Sequence, residues 1–494
     1  MKKVQFDSSD VCSGTFSLSK TIKHRSAILS VLCFFCVLLS AQPRAKYVFY
    51  FIGDGMGVNQ VNGAETFLAA QEGRIGTTPL CFASFPYIAY ITTQSALNGV
   101  TDSAAGGTAL ACGRKTKNGA IGVLQDLTTP IKSIATAAKE SGAAVGIATS
   151  VSPDHATPAV FYAHEASRNS YYEIGRQLTG SGFDFFAGSD FLKPQPKDND
   201  EPHAELHRMA QDSGYTIARG FADYEKKSAK AQKMLLLQPE ADLKKWPKTT
   251  PYKIDREPQN LSLEQITTAG LDFLRKKSDK GFFFMVEGGM IDMACHDNDA
   301  ATYVHELIDF DSCIQIAYDF YLQHPDSTLI VVTADHETGG LVLGRGPYEL
   351  HLDRLAAQKM GLYQYTAHLE ALLREKGKKL SWEDIEKDLR TNFGFWSELQ
   401  LTEKQTQRLK SAFEGWMSGK EGGKKTMYSS ESDLCAVAGQ IISEQAGISW
   451  ASYGHSNGYV GAYAVGAGAE AFHGRFDNTE IPRIIARLAG WNLE

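Results

Sequence analysis

The fold class this 494-residue sequence predicts is α/β: a three-layer sandwich with a large, mostly parallel central sheet and helices on both faces, plus a helical insertion. Three observations predict it. Strand-length apolar runs occur without polar interruption, as expected for strands buried on both faces. Helix-length segments alternate with them. Acidic or acid–histidine clusters directly follow three of the four runs, and in such sheets ligands gather beyond the carboxyl ends of the strands. The composition agrees, because 43% hydrophobic and 22% charged residues exclude collagen-like, coiled-coil and wholly disordered chains. A formal charge of −7 argues against a nucleic-acid binding platform, whose affinity comes from phosphate neutralisation.

Taken in order, the chain opens with Lys20, Lys23, His24 and Arg25 before an apolar run from Ala27 to Ala41. That run is about fifteen residues long, against the ~20 needed to span a bilayer, so residues 1–41 read as a secretory signal cleaved near 41–45. The expectation is an exported, periplasmic or secreted protein with no transmembrane span once the signal is removed. Tyr47 to Ile52 is the first strand, ending in Gly53-Asp54-Gly55. A helix over Ile131 to Ser141 leads into a strand over Ala143 to Thr149. The stretch from Asp190 to Pro258, rich in Pro, Asp and Lys, reads as a surface excursion. Then come a helix over Ser262 to Lys276, a strand over Phe282 to Val286 ending in Glu287-Gly288-Gly289, a helix over Ala300 to Leu322, and a strand over Leu329 to Thr333 ending in Ala334-Asp335-His336.

From Pro347 the pattern turns helical and amphipathic, with Leu352, Leu355, Ala356 and Met360 at helical spacing. Thr402 and Gln405 form a capping-box start for a helix over Glu403 to Gly415. The predicted organisation is a catalytic core of 46–345 and 449–494, with 347–448 a mostly helical, crown- or lid-like insertion containing a mobile loop at Gly419 to Lys425. Five cysteines follow the signal (Cys81, Cys112, Cys295, Cys313 and Cys435), none in CxxC spacing, which argues against a disulfide framework or a thiolate zinc site.

The chemistry-bearing residues sit at the predicted strand ends: Asp54, Glu287, Asp292, His296, Asp335 and His336. Carboxylate with imidazole suits zinc, and carboxylate with hydroxyl suits magnesium, so the set can hold more than one ion. Asp292 and His296, four apart, share a face if helical. Asp335 and His336 need a bent backbone to reach one ion. Each alone is more simply a cap, a turn residue or a hydrogen-bonded structural group, and their joint occurrence is what favours ligation. Ser103 opens a helix of small residues, Thr101-Asp102-Ser103-Ala104-Ala105, where unpaired backbone N–H groups welcome an anion. Ordinary capping by Thr101 or Ser103 is the bland alternative; beside a zinc ion, Ser103 could ionise and act as a nucleophile.

Six segments together resemble the alkaline phosphatase family, in the family's order. They are Phe51-Ile52-Gly53-Asp54-Gly55-Met56-Gly57, Thr101 to Ala105, His155-Ala156-Thr157-Pro158 running to Ser167-Arg168, Val286 to Asp292, Thr333-Ala334-Asp335-His336-Glu337, and Tyr453-Gly454-His455-Ser456. The resemblance implies hydrolysis of small-molecule phosphate monoesters through a phosphoserine on Ser103, using two zinc ions and one magnesium ion. It implies one zinc on Asp292, His296 and His455, a second on Asp54, Asp335 and His336, and magnesium on Asp54, Thr157 and Glu287 with His155 beside it. Arg168 would grip the phosphoryl oxygens. His155 stands where some members carry Asp, and Met293 where members carry Lys or His. A homodimer is compatible with the family. The alternatives are a phosphodiesterase of the same superfamily, which commonly lacks the third metal site and the Arg clamp, or a catalytically silent secreted binding protein.

Overall fold

Ten strands build the main sheet: β1 (Tyr47–Ile52), β2 (Tyr87–Thr92), β3 (Ala144–Thr149), β4 (Phe185–Gly188), β5 (Tyr215–Arg219), β6 (Lys233–Leu237), β7 (Phe282–Glu287), β8 (Thr328–Thr333), β9 (Val460–Gly466) and β10 (Gly474–Asp477). They lie in the order β10-β2-β9-β8-β1-β7-β3-β4-β6-β5. The computed structural model describes residues 44–195, 205–419, 424–425, 430–431 and 433–494. The expected signal, residues 1–41, and the centre of the expected Gly419 to Lys425 loop lie outside them.

The centre of the sheet follows from its composition. β1 is YVFYFI and β7 is FFFMVE, and their register pairs Tyr47 with Phe282 and Ile52 with Glu287. Phe49, Phe51, Phe282 and Phe284 are fully buried, each contributing about 1.5–3 kcal/mol of burial. On the other side β1 pairs in parallel with β8, setting Ile52 against Thr333. The carboxyl ends of β7, β1 and β8 therefore stand side by side, and Glu287, Asp54 and Asp335 emerge along one edge. Only β9 runs against its neighbours β8 and β2. Its amino end thus lies at the same edge as the carboxyl ends of the parallel strands, which brings the segment just before it, including His455, to Asp335 and His336.

Fifteen α-helices are present among the described residues, and with the mostly parallel sheet they form the predicted sandwich. Five matter below: α1 (Ser103–Cys112), α2 (Ala156–Ala159), α3 (Met290–His296), α4 (Ala300–Gln323) and α5 (Leu362–Lys376). No helix among the described residues is long and apolar enough to cross a membrane.

The stretch from Asp190 to Pro258 is not a surface excursion: β5 and β6 lie within it and complete one edge of the sheet. Edge position hides β5, and shortness hides β6. β5 is only half buried, so it shows no continuous apolar run, and β6 offers four buried apolar residues behind a lysine. Between residues 347 and 448 the helices Leu362–Lys376, Trp382–Phe393, Glu403–Met417 and Asp433–Ala446 form, and the Thr402–Gln405 capping box is made on both sides. The periodic leucines near Leu352 form a 3-10 segment, Leu352–Ala357, instead of an α-helix.

Candidate metal centre

Eight of the nine sequence-predicted ligands form three groups whose ligand atoms lie within 4.8 Å of one another: Asp292, His296 and His455; Asp54, Asp335 and His336; and Asp54, His155 and Glu287; the ninth, Thr157, reaches Asp54 by a hydrogen bond. Asp54 belongs to two groups. It follows β1 in a turn through Gly55, whose φ of +72° suits glycine. A Cβ at Gly55 would come within 2.9 Å of both Asp292 Oδ1 and Thr338 Oγ1, so a side chain there would fill the site. α3 carries Asp292 and His296 on one face, with His296 Nε2 3.2 Å from Asp292 Oδ2. His336 Nε2 lies 3.3 Å from both Asp54 Oδ1 and Asp335 Oδ2, so the adjacent Asp335 and His336 do turn toward one point.

The imidazoles are oriented by backbone carbonyls. His296 Nδ1–H donates to Tyr453 O at 2.5 Å and His455 Nδ1–H to Thr101 O at 2.9 Å, which leaves both Nε2 lone pairs facing inward, 3.1 Å apart. Two lone pairs at that distance repel unless a cation or proton lies between them. Asp54 Oδ1, Glu287 Oε1 and Asp292 Oδ2, all buried, accept no hydrogen bond among the described residues. The electrostatics are equally one-sided. Burial, then Asp335, Asp292 and Glu287, pushes Asp54 well above the usual carboxylate range. Burial raises Glu287 to about 8 against the hydrogen bond from Thr149, and burial with Asp292 raises Asp335 to about 7. Asp292 goes the other way: burial would raise it, but the neighbouring His296, His455 and His336 hold it well below. Burial and the charge of Arg168 depress His155 to about 3, and burial depresses His336 and His455. His296 goes up instead, because its burial is outweighed by the charge and hydrogen bond of Asp292. Buried carboxylates short of positive charge, set among imidazoles that are mostly depressed, are a donor set that divalent cations can satisfy.

Ser103 is the first residue of α1 and completely buried, with Oγ 3.2 Å from His336 Nε2. The helix cap is neither Thr101 nor Ser103 but Asp102, whose Oδ1 accepts the Ala105 N–H at 3.0 Å. Its Oδ2 accepts from Gly119 N–H at 3.0 Å and from Arg168 Nη1 at 3.1 Å. One carboxylate therefore fixes both the serine-bearing helix and the arginine. α1 can approach closely because of its paired glycines: a Cβ at Gly106 would stand 2.8 Å from Asp335 O. Thr157, in α2, donates to Asp54 Oδ2 at 3.3 Å, and Arg168 Nη2 lies 3.3 Å from His155 Nε2.

Three contributors escape the sequence reading. Asp102 sits inside the serine motif but has no ligand-like pattern, Thr149 ends β3 and donates to Glu287 Oε2, and Thr338 donates to Asp292 Oδ1. The only signal for the threonines is their position at a strand end and beside the Asp335-His336 pair.

The alkaline phosphatase family model matches residues 45–184 and 226–491. Alkaline phosphatase 3 of Bacillus subtilis is 31% identical over 457 residues, covering 92% of this chain and 91% of the relative. The cold-active alkaline phosphatase of a Shewanella species superposes with a TM-score of 0.74 at 28% identity, over 90% of this chain and 99% of that one. A variant of the alkaline phosphatase from the Antarctic bacterium TAB5, with a histidine replaced by glutamate and Mg bound in its M3 site, gives a TM-score of 0.61 at 26% identity, over 91% of this chain and 99% of that one. On these matches, the chain belongs to the alkaline phosphatase family of metal-dependent phosphoric monoester hydrolases.

Proposed function

We propose that the chain cleaves phosphate monoesters through a phosphoserine on Ser103, with Asp292, His296 and His455 holding one zinc, Asp54, Asp335 and His336 a second, and Asp54, Thr157 and Glu287 a magnesium ion beside His155. The observation that carries this reading is the convergence of three ligand groups on one edge, with Ser103 Oγ next to His336. Groups that combine imidazole with carboxylate suit zinc, and a group with a hydroxyl and two carboxylates suits magnesium. When bound, the cations neutralise the phosphoryl oxygens and favour the ionised forms of hydroxyl and water.

The chain's own residues do the rest. Arg168, anchored by Asp102, presents guanidinium N–H groups to the phosphoryl oxygens in a geometry lysine cannot reproduce. Ser103 Oγ attacks phosphorus, the P–O bond to the alcohol breaks, and the alcohol leaves with a proton. Water then attacks the phosphoserine, the Oγ–P bond breaks, and Ser103 is regenerated as phosphate departs. The N-terminus of α1 sets backbone N–H groups beside the developing negative charge. Residues 1–41 act as an export signal in this reading, sending the enzyme to the periplasm or medium, and 347–448 is a helical insertion on the catalytic core.

The test is Ser103→Ala with metal analysis. Its turnover should fall by roughly 10³-fold or more while zinc and magnesium contents hold, and a labelled phosphopeptide containing Ser103 should be recovered only from the unsubstituted enzyme. A variant that keeps its turnover, or an enzyme that cleaves a diester faster than the monoester of the same phenol, would overturn the reading.

A further inference from the structure

The three imidazoles of the two proposed zinc groups are not held alike. His296 and His455 give their Nδ1–H to backbone carbonyls, Tyr453 O and Thr101 O. His336 Nδ1 meets a side chain instead, Thr338 Oγ1 at 3.2 Å, and the same hydroxyl is hydrogen-bonded to Asp292 Oδ1. Asp292 and His336 belong to different ligand groups, so one hydroxyl touches both. All three residues are completely buried, and bulk water does not compete for either contact.

A hydroxyl carries a single proton, which fixes the direction of both bonds. The Asp292 carboxylate only accepts, so the Thr338 proton goes to Oδ1, and Oγ1 is left to accept from His336. His336 therefore carries its proton on Nδ1. Its Nε2 lone pair then faces Asp54 Oδ1 and Asp335 Oδ2, each 3.3 Å away, and Ser103 Oγ at 3.2 Å. The position of Thr338 is itself fixed by its backbone. It stands opposite His455 where Glu337–Thr338 pairs with His455–Ser456, its N–H donates to Gly55 O at 3.2 Å, and its carbonyl accepts from Gln60 Nε2 at 2.7 Å. Gln60 also donates to Glu337 Oε1 at 2.6 Å, and Glu337 Oε2 accepts from Ser456 Oγ, which locks the pairing from the side. Gly55 leaves the room for these contacts, since a Cβ there would press on Thr338 Oγ1 and Asp292 Oδ1 together.

Resting on the zinc assignment proposed above, we infer that Thr338 is a positioning residue shared by the two zinc groups: its hydroxyl sets the Nδ1–H tautomer of His336 and the orientation of Asp292 at once, so the two groups gain or lose affinity together. Without the hydroxyl, Asp292 Oδ1 loses its donor and His336 Nδ1–H its acceptor, both in a buried place. The His336 proton then moves to Nε2, where Asp54 and Asp335 accept it, and it occupies the position of the ligand lone pair. Losing a partner that orients a metal ligand weakens metal binding by roughly 10- to 100-fold. Here a single loss falls on both groups, because the bonds His336 Nδ1–H to Thr338 and Thr338 Oγ1–H to Asp292 share one oxygen.

The experiment titrates zinc into the metal-free full chain in competition with a chromophoric chelator and reads both zinc binding constants, for the unsubstituted protein and for Thr338→Val, Thr338→Ala, Thr338→Ser and Thr267→Val. Circular dichroism first confirms that each metal-free chain is folded. Thr267 is an equally buried threonine whose hydroxyl donates to Leu263 O within its own helix, so its valine variant measures the loss of a hydroxyl that serves no ligand. Thr338→Val should weaken both zinc constants by about 10- to 100-fold, Thr338→Ser should restore both, and Thr267→Val should change neither. Alanine and serine at position 338 differ by one oxygen, and their comparison carries the test if the valine variant fails to fold. Weakening of only one zinc constant, constants unchanged in the valine and alanine variants, or a serine variant as weak as alanine would overturn the shared role and leave the zinc assignment standing. An unsubstituted chain that binds fewer than two zinc ions would overturn both.

Discussion

Buried acids gather in two places in this molecule, and they are neutralised in opposite ways. In the first, Asp54, Glu287, Asp292 and Asp335 face imidazoles and leave three oxygens without a donor. In the second, around α4, Asp299, Glu306 and Asp309 are 2%, 5% and 2% exposed, and Asp255 lies beside them. Here the chain supplies its own positive groups. Arg256 bonds both oxygens of Asp309 at 3.0 and 2.6 Å, and Lys253 Nζ reaches the same carboxylate at 2.8 Å. Asp299 accepts from Leu362 N–H at 2.8 Å, Gln358 at 2.9 Å and Thr302 Oγ1 at 2.6 Å, and Asp255 accepts from Gly361 N–H at 3.1 Å. α5 thus starts on two carboxylates, where its dipole is positive. In this second cluster Asp255 Oδ2 is the fully buried carboxylate oxygen left without a hydrogen bond among the described residues, and no ligand group forms there among them. What marks a cation site is therefore the shortage of donors, since acidity and burial are common to both clusters.

The sharpest way to break this contrast is to neutralise the residue shared by two ligand groups. Asp54→Asn should cut kcat/KM by roughly 10³-fold or more and reduce the metal content, because the amide nitrogen cannot replace a carboxylate oxygen as a ligand. Elemental analysis beside steady-state kinetics checks it; full metal occupancy with full turnover would mean that the first cluster needs no cation.

The complementary change removes the internal cation from the second cluster. Arg256→Met should destabilise the fold by about 3–5 kcal/mol in denaturant unfolding, since Asp309 would keep its burial and lose its bidentate partner. Metal content should stay as it is. If Arg256→Met instead strips metal without lowering stability, the two clusters are not distinct in the way described.

How much of this was legible beforehand depended on whether position along the chain reported position in space. Asp54, Glu287 and Asp335 follow parallel neighbouring strands directly, so their convergence could be read from the apolar runs alone. His455 could not, because its arrival depends on β9 running against the sheet, and no local pattern encodes strand direction; the Tyr453-Gly454-His455-Ser456 resemblance supplied it. β5 is hidden because an edge strand buries only part of its surface, and β6, a short run behind a lysine, lies in a stretch whose Pro, Asp and Lys content masks it. Asp102 was missed as an anchor because capping and arginine binding are made by opposite oxygens of one side chain, a division visible only in coordinates. The stacking of Trp246 on Tyr363 is beyond reach for a similar reason: the two residues are more than a hundred positions apart, in the two stretches whose patterns carry least information.

The smallest effect separates burial from pairing within the second cluster, through pH. Glu306 is raised to about 8, first by burial and then by Asp309, with Arg256 opposing. Its carboxyl therefore holds its proton in the folded chain over a range where the unfolded chain, with an ordinary glutamate, has released it. Below the ordinary value both states are protonated and the group contributes nothing. As pH rises through the range up to about 8 the unfolded state gains from ionising and the folded state does not, so stability falls, and above that value the loss is complete. Glu306→Gln abolishes this dependence while its amide oxygen can still accept the Lys253 N–H. The variant should match the unsubstituted protein at pH 5 and exceed it by on the order of 2 kcal/mol at pH 9, read from denaturant midpoints at the two pH values. An advantage of equal size at both would trace the effect to packing. An advantage confined to pH 5 would reverse the sign and show that Glu306 is stabilised as the anion by Arg256 and Lys253, so that the second cluster would hold a fully ionised acid pair.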